Sequence, residues 1–201
     1  SATTSPNTHS NSENDMPSQK SNILLIGNSH SKDIFNIFYN SQSINNKFKI
    51  DRYGLQISDL SDDNIFWISS AYHKATHILI ASRYRDTDIR NLAYVIEKIK
   101  KDGKKLFIAS HIFEFPGEAS GFSLIDETVY LNIDLDPEVI ADKINSIYYE
   151  FYIQDKENRS NYFNELLVDL GREFNIDILN RMDYICSDQQ QKCFATQSDL
   201  T

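Results

Sequence analysis

Short apolar runs alternate along this chain with longer segments of helical periodicity. Apolar residues recur every three or four positions between the runs, most clearly from Ile89 to Ile99. Strands that alternate with helices predict a parallel sheet with helices on both faces. We therefore expect a three-layer α/β/α sandwich around a five-stranded parallel sheet. The predicted strands are Ile23–Ile26, Phe48–Tyr53, His77–Ala81, Leu106–Ser110 and Ile176–Leu179.

The same periodicity predicts further helices over residues 31–39, 65–72, 139–151 and 163–170. Asp136-Pro137 is a typical helix start, and Gly171 is predicted to end the last helix. Tyr148, Tyr149 and Tyr152 are expected to be exposed on their helix, as exceptions among mostly buried aromatic residues. Residues 112–135 are predicted to form a long irregular loop, of the kind that often covers a substrate site.

The first 21 residues differ in composition from the remainder. Their only apolar side chains are Ala2 and Met16, too few to offset the entropy of ordering the segment. We predict a disordered linker over residues 1–21 and one domain over residues 22–201. The linker lacks the charged and apolar regions of a signal peptide. No apolar stretch approaches the ~18 residues that span a bilayer.

Charge and cysteine content narrow the choice of partners and compartment. The net charge of −9 argues against nucleic acid or an anionic membrane as a direct partner. Cys186 and Cys193 enclose a wholly polar loop, which favours a disulfide in an oxidising compartment over two free thiols in a reducing one. Their spacing does not match a zinc site.

Polar residues follow three of the predicted strands. Gly27-Asn28-Ser29-His30 follows the first strand, Gly54 the second, and Ser82-Arg83 the third. Because ligand sites of parallel sheets lie outside the carboxyl ends of the strands, these residues are expected at one edge. Ser29 then has two interpretations. It is a nucleophile beside the N–H groups of a helix start, or it is only the cap of that helix.

These segments resemble the SGNH (GDSL-like) hydrolase family, and most of all the SGNH domains fused to membrane O-acyltransferases of bacterial envelopes. Gly27-Asn28-Ser29-His30 is similar to the first block of that family, and Arg52-Tyr53-Gly54-Leu55-Gln56-Ile57-Ser58 to the second. Ala81-Ser82-Arg83-Tyr84-Arg85 stands where the wider family has Gly-x-Asn-Asp; the fused subgroup often has Ser-Arg-Trp/Tyr there. The late cysteine pair also fits the fused subgroup.

The resemblance implies a role for several residues. Ser29 would be the nucleophile, and the N–H groups of Ser29 and Gly54 would bind the oxyanion. Arg83 would be a further donor or a substrate anchor. No metal and no organic cofactor is implied.

One expected element of the site is missing from the sequence. The family supplies its base from an Asp-x-x-His motif near the C-terminus, and no histidine here follows His111. We therefore expect the domain to be truncated before its base and nearly inactive alone. His111 with Glu114 is the alternative base, although a polar loop histidine is the simpler interpretation.

These observations together predict an SGNH-type serine esterase or O-acyltransferase domain that acts on cell-envelope polysaccharide. Its expected partners are a glycan acceptor and a membrane acyltransferase domain or protein as acyl donor. The expected location is periplasmic or otherwise extracytoplasmic, with a possible membrane tether through the linker. The alternative is a catalytically inactive carbohydrate-binding or interaction domain of the same fold. A receiver- or flavodoxin-like binding domain fits less well, since no acidic cluster follows the first strand.

Overall fold

The computed structural model of this chain describes residues 20–112, 124–156 and 159–195. It contains a five-stranded sheet in the order β2-β1-β3-β4-β5, and every pairing is parallel. The predicted fold class is confirmed, and all five strands occur within a few residues of their predicted bounds. The strands are β1 (Ser21–Gly27), β2 (Phe48–Gly54), β3 (His77–Ile80), β4 (Lys105–Ala109) and β5 (Asp177–Leu179).

Eight α-helices and a small hairpin complete the described part of the chain. The helices are α1 (Ser29–Asn40), α2 (Gln42–Lys47), α3 (Ser70–Lys74), α4 (Asp86–Lys101), α5 (Leu124–Leu131), α6 (Pro137–Lys156), α7 (Arg159–Phe174) and α8 (Met182–Ile185). Two 3₁₀ turns cover Ile57–Asp59 and Ile65–Ile68, and the antiparallel hairpin pairs β6 (Cys186–Ser187) with β7 (Lys192–Cys193). Among the described helices, none combines the length and the apolar character that a membrane span needs.

The two faces of the sheet are covered by different helices. On one face, α1 packs its apolar residues, such as Phe35, against Leu25 and Leu79. On the other face, α4 and α7 cover Leu24 and Ile80. Side chains of successive strand residues alternate between the faces, so each central strand contributes to both cores. The result is the three-layer sandwich that the sequence predicts.

The end of α7 differs from the prediction. Gly171 does not end the helix, which continues to Phe174. A Cβ at Gly171 would lie 2.8 Å from Ile178 Cγ1 on β5, so the glycine allows a close approach of helix and strand. The chain leaves the helix at Asn175, which has a φ of 52°.

The predicted helix over residues 65–72 is divided in two. Ser69 has an extended backbone between the 3₁₀ turn and α3, and its Oγ accepts a hydrogen bond from Tyr72 N at 3.2 Å. Ser69 is thus a helix cap inside the predicted helix. The division leaves Ile65 and Ile68 exposed while Phe66 is buried.

Two expectations for the second half of the chain also need correction. The predicted irregular stretch over residues 112–135 contains α5, and its residues 113–123 lie outside the described residues. Tyr148 is buried, and Tyr149 and Tyr152 are partly buried against the same core, so none is an exposed aromatic residue. Of the predicted linker, residues 1–19 lie outside the described residues, and Ser21 already belongs to β1.

Candidate active site

The turn after β1 lies at the point where the strand order changes direction. The chain passes from β1 outward to β2 and then returns across β1 to β3. In doubly wound sheets of this order, ligands bind in the crevice at that switch point, outside the carboxyl ends of the strands. Ser29 and Arg83 follow β1 and β3, the two strands that flank the switch point.

Gly27 sets the path of this turn. Its φ is +136°, and a Cβ at this position would lie 2.0 Å from the carbonyl oxygen of Ala81. Any other residue would collide with the backbone after β3, which cannot move aside as a flexible side chain could. Glycine at this position therefore brings the ends of β1 and β3 into close contact.

Asn28 connects the same two strand ends through its side chain. Its Oδ1 accepts a hydrogen bond from Arg83 N at 2.9 Å, and its Nδ2 donates to Arg83 O at 3.2 Å. Asn28 Oδ1 also accepts from His30 N at 3.3 Å and so caps α1. The main chain of Arg83 is thereby occupied, and its side chain is exposed.

Ser29 is exposed between buried neighbours. It is the first residue of α1, whereas Gly27, His30 and Ser31 are buried. The first turn of α1 has no acidic side chain, so the partial positive charge of the helix start is not neutralised there. Among the described residues, neither the N–H nor the Oγ of Ser29 has a hydrogen-bond partner. Its hydroxyl is thus accessible and has no base in contact with it.

Arg52 supports the turn from β2. Its Nε donates to Ser31 Oγ at 2.8 Å, and its Nη2 donates to Asn28 O at 3.0 Å. Ser31 Oγ in turn donates to Asn28 O at 2.7 Å. The residues on both sides of Ser29 are therefore held by a charged side chain that the sequence analysis did not identify as part of the site.

Gly54 is next to this turn, but its N–H points away from the turn. It pairs with Gly27 at the ends of β2 and β1, and it is exposed. Leu55 N donates to Gly27 O at 3.0 Å. Because successive N–H groups of a strand point to opposite sides, the N–H of Gly54 faces the outer edge of the sheet. The N–H of Ser29, rather than that of Gly54, is consequently the donor that is available at the turn.

A second arginine reaches the site from the far edge of the sheet. Arg181 follows β5, and its N and Nε donate to Ser110 Oγ and Ser110 O at 2.9 Å and 2.8 Å. Its Nη2 lies 3.4 Å from His30 Nδ1 in the first turn of α1. Burial lowers the pKa of Arg181 from its ordinary value, opposed by the nearby Tyr84 and Asp33.

The other histidines of the described core are not in contact with Ser29. His111 follows β4, where its ring is buried between Tyr84 and Phe163 at centroid distances of 6.3 Å and 5.1 Å. Its proposed partner Glu114 lies outside the described residues. His77 begins β3 and is therefore at the opposite end of the sheet.

The predicted disulfide between Cys186 and Cys193 is confirmed. It joins β6 to β7, and both cysteines are buried against α6. Lys192 Nζ binds Asp142 Oδ1 at 2.7 Å, and Asn145 Oδ1 accepts from Ala195 N at 2.9 Å. Because disulfides persist in oxidising compartments, this bond indicates an extracytoplasmic location.

Comparison with models of known protein families and with curated protein sequences found no match. The described residues contain no group of three or more His, Cys, Asp and Glu side chains placed to hold a metal ion.

Proposed function

We propose that this domain is an SGNH-type serine esterase or O-acyltransferase that acts on cell-envelope polysaccharide. The observation that carries the proposal is the exposure of Ser29 at the start of α1, on a turn whose other residues are buried or bonded. A hydroxyl held in this way is accessible to an ester, and the helix start favours a developing negative charge.

In this reaction Ser29 Oγ attacks the acyl carbonyl carbon, and the N–H of Ser29 stabilises the oxyanion. The bond between the acyl carbon and the donor oxygen then breaks, and the donor alcohol leaves with a proton. The acyl group on Ser29 passes to a sugar hydroxyl in a transferase, or to water in an esterase, which restores the serine. The family resemblance implies Gly54 as a second donor, but the N–H of Gly54 faces the outer edge of the sheet, so this step rests on the N–H of Ser29.

The proposed substrates and location follow from the resemblance and the disulfide. A glycan is the acceptor, and a membrane acyltransferase domain or partner supplies the acyl group. The exposed Arg83 side chain at the switch point is a candidate anchor for the glycan. The domain works in the periplasm or another extracytoplasmic space, tethered through its N-terminal segment.

A second candidate function is supported by the surroundings of the Ser29 hydroxyl. Ser29 Oγ has no base in contact with it among the described residues, and the sequence contains no Asp-x-x-His motif. A serine without a base keeps only the oxyanion and binding contributions to catalysis. A catalytically inactive glycan-binding domain with the same turn is therefore the alternative.

A fluorophosphonate probe separates the two candidates. A chain extended at its C-terminus through a following Asp-x-x-His motif is treated with the probe beside the 201-residue chain, the adduct is mapped by mass spectrometry, and hydrolysis of an acetylated polysaccharide is measured in parallel. Ser29→Ala is compared with Ser70→Ala, since Ser70 is also an exposed serine at the first position of a helix. The esterase proposal predicts labelling that Ser29→Ala abolishes and Ser70→Ala leaves intact.

Two histidine variants test which side chain acts as the base in this reaction. His111→Ala and His30→Ala are tested for loss of labelling, because each histidine follows a central strand at the carboxyl edge. Glycan binding without labelling or ester hydrolysis would favour the inactive binding domain. Labelling that persists in Ser29→Ala would contradict Ser29 as the nucleophile.

A further inference from the structure

Arg181 connects three parts of the carboxyl edge of the sheet. It follows β5, binds Ser110 at the end of β4 through two hydrogen bonds, and extends to His30 in the first turn of α1. His30 and Arg181 are separated by 151 positions in the sequence. The contact therefore joins the last strand of the sheet to the residue that follows Ser29.

The guanidinium of Arg181 has no carboxylate partner within ion-pair distance among the described residues. Asp33, one turn further along α1, is the acidic group whose charge acts on it. A partly buried cation without a paired anion has an unfavourable desolvation energy. A neutral hydrogen-bond donor would be enough to join the ends of β4 and β5. That role alone therefore does not explain why a charged side chain stands at this position.

We propose that Arg181 is a positioning residue for the turn at residues 27–31, which carries Ser29. Arg181 holds His30 as the tautomer protonated at Nε2 and thereby fixes the first turn of α1. The inference depends on the proposed function for its catalytic consequence, but the contact itself can be tested without any activity.

The chemistry of the two side chains determines the tautomer. A guanidinium only donates hydrogen bonds, so His30 Nδ1 must accept with its lone pair. The proton of the neutral ring is then on Nε2. A proton on Nδ1 would face the guanidinium N–H and break the contact. Arg181 thus selects one orientation and one proton position for the ring next to Ser29.

The effect on Ser29 passes through the backbone. His30 is buried, so a fixed ring restricts the rotation of the first helical turn to which Ser29 also belongs. Displacement of a reacting group by about 1 Å can cost on the order of 100-fold in rate. Loss of the Arg181 contact should therefore slow the reaction of Ser29 without removing any group that touches the substrate.

The test measures the tautomer of His30 by two-bond ¹H–¹⁵N correlation NMR and the rate of Ser29 labelling by a fluorophosphonate. Arg181→Met should convert the His30 spectrum from the Nε2–H pattern to a mixture of tautomers. It should also slow labelling about tenfold or more. Arg172→Met is the control, because Arg172 is exposed and, within the described part of the chain, its side chain pairs with Asp169 on its own helix.

Two further comparisons separate positioning from stability. Ser110→Ala removes the Oγ acceptor of Arg181 N but keeps the main-chain acceptor of Nε, so it should lower stability with the Nε2–H pattern intact. His30→Gln offers an acceptor oxygen to the guanidinium, whereas His30→Leu offers none. The Gln variant should retain faster labelling than the Leu variant, and this comparison remains available if Arg181→Met fails to fold.

An unchanged His30 spectrum in folded Arg181→Met would overturn the proposal, as would equal labelling of the Gln and Leu variants when the wild-type Ser29 reacts. A wild-type Ser29 that does not react counts against the proposed function alone. The NMR measurement then decides whether Arg181 selects the His30 tautomer.

Discussion

The side-chain amide of Asn28 binds both polar main-chain atoms of Arg83. Oδ1 accepts from Arg83 N at 2.9 Å and Nδ2 donates to Arg83 O at 3.2 Å, so one side chain satisfies both atoms of a residue 55 positions away. The pairing resembles the two-point contact of neighbouring strands, continued beyond the end of the sheet by a side chain. It fixes the distance between the turn of Ser29 and the loop of Arg83.

We expect Asn28→Ala to destabilise the protein by about 1–2 kcal/mol, because it removes the helix cap of α1 and leaves Arg83 N without its acceptor. Asn28→Asp keeps the acceptor for Arg83 N but places a carboxylate oxygen next to Arg83 O, where the amide of Asn28 donates. It should destabilise the protein less than Asn28→Ala does. Urea denaturation measures both values. Asn36→Ala on the exposed side of α1 is the control. Equal midpoints for Asn28→Ala and this control would contradict the role of the Asn28 bridge.

Gly27 and Gly103 form a matched pair for a substitution test. Both have positive φ values, +136° and +71°, but a Cβ at Gly103 has no neighbour within 4 Å. Gly103→Ala should cost about 1–2 kcal/mol, from backbone conformation alone. Gly27→Ala adds a collision with Ala81 O and should cost roughly 3 kcal/mol or more, or prevent folding. Thermal unfolding of the two variants measures the difference, and similar melting temperatures would contradict the close approach.

Arg52 is expected to act on both stability and Ser29 reactivity. Arg52→Met removes the donors to Asn28 O and Ser31 Oγ and should cost about 1–2 kcal/mol. It should also slow fluorophosphonate labelling of Ser29, because the turn loses its support from β2. Lys49→Met, an exposed change on the same strand, is the control and should affect neither. Unchanged labelling of folded Arg52→Met would show that the turn holds without it.

The sheet could be predicted from sequence because each buried strand is a short apolar run whose ends are set by polar residues. β1 was predicted at Ile23–Ile26 and extends to Gly27, which has no side chain to contribute to the pattern. The division at Ser69 could not be predicted, since apolar residues on both sides keep a helical spacing. Gly171 was misassigned because a glycine inside a helix, packed against a strand, has the same local sequence signal as a helix end.

The residues that hold the candidate site were mostly not predictable. Ser29 and Arg83 follow strands and Gly54 ends one, and a parallel sheet collects such residues at one edge. Arg52 and Arg181 act across the sheet, and their partners depend on a strand order that alternating elements do not specify. Arg52 is a charged residue in an otherwise ordinary edge strand. Arg181 stands in a short polar loop, where nothing local indicates burial.

His77 should make stability depend on pH at the opposite end of the sheet. Burial and the neighbouring Lys105 lower the pKa of His77, whose ring also contacts Phe107 and Thr76. The unfolded chain then binds a proton more readily than the folded one. The contribution of His77 is complete above the unfolded pKa of about 6.5 and is lost as the pH falls from there through the lower pKa of the folded state.

Urea denaturation of the wild type and of His77→Gln at pH 7.5 and pH 5 tests the pH dependence of stability that we expect from His77. The wild type should lose more stability between the two pH values than the variant does. His73→Gln, a change of an exposed histidine in α3, should behave as the wild type. An identical pH dependence of wild type and His77→Gln would exclude His77 as the source.

The last prediction concerns the Cys186–Cys193 disulfide. The bond closes a loop with a sequence separation of 7, which in the chain-entropy model stabilises the fold by about 2–3 kcal/mol. The double variant Cys186→Ser/Cys193→Ser should lose about that amount in urea denaturation. Reduction of the wild type should have the same effect. The largest local effect should be at the hairpin, because β6 and β7 pack against α6 rather than against the sheet. Hydrogen exchange should accelerate most in residues 186–195 and the contacting part of α6, and in β1 and β3 by no more than the global loss of stability. Equal stability of the oxidised and reduced proteins would show that the hairpin is held by Lys192–Asp142 and Ala195–Asn145 instead.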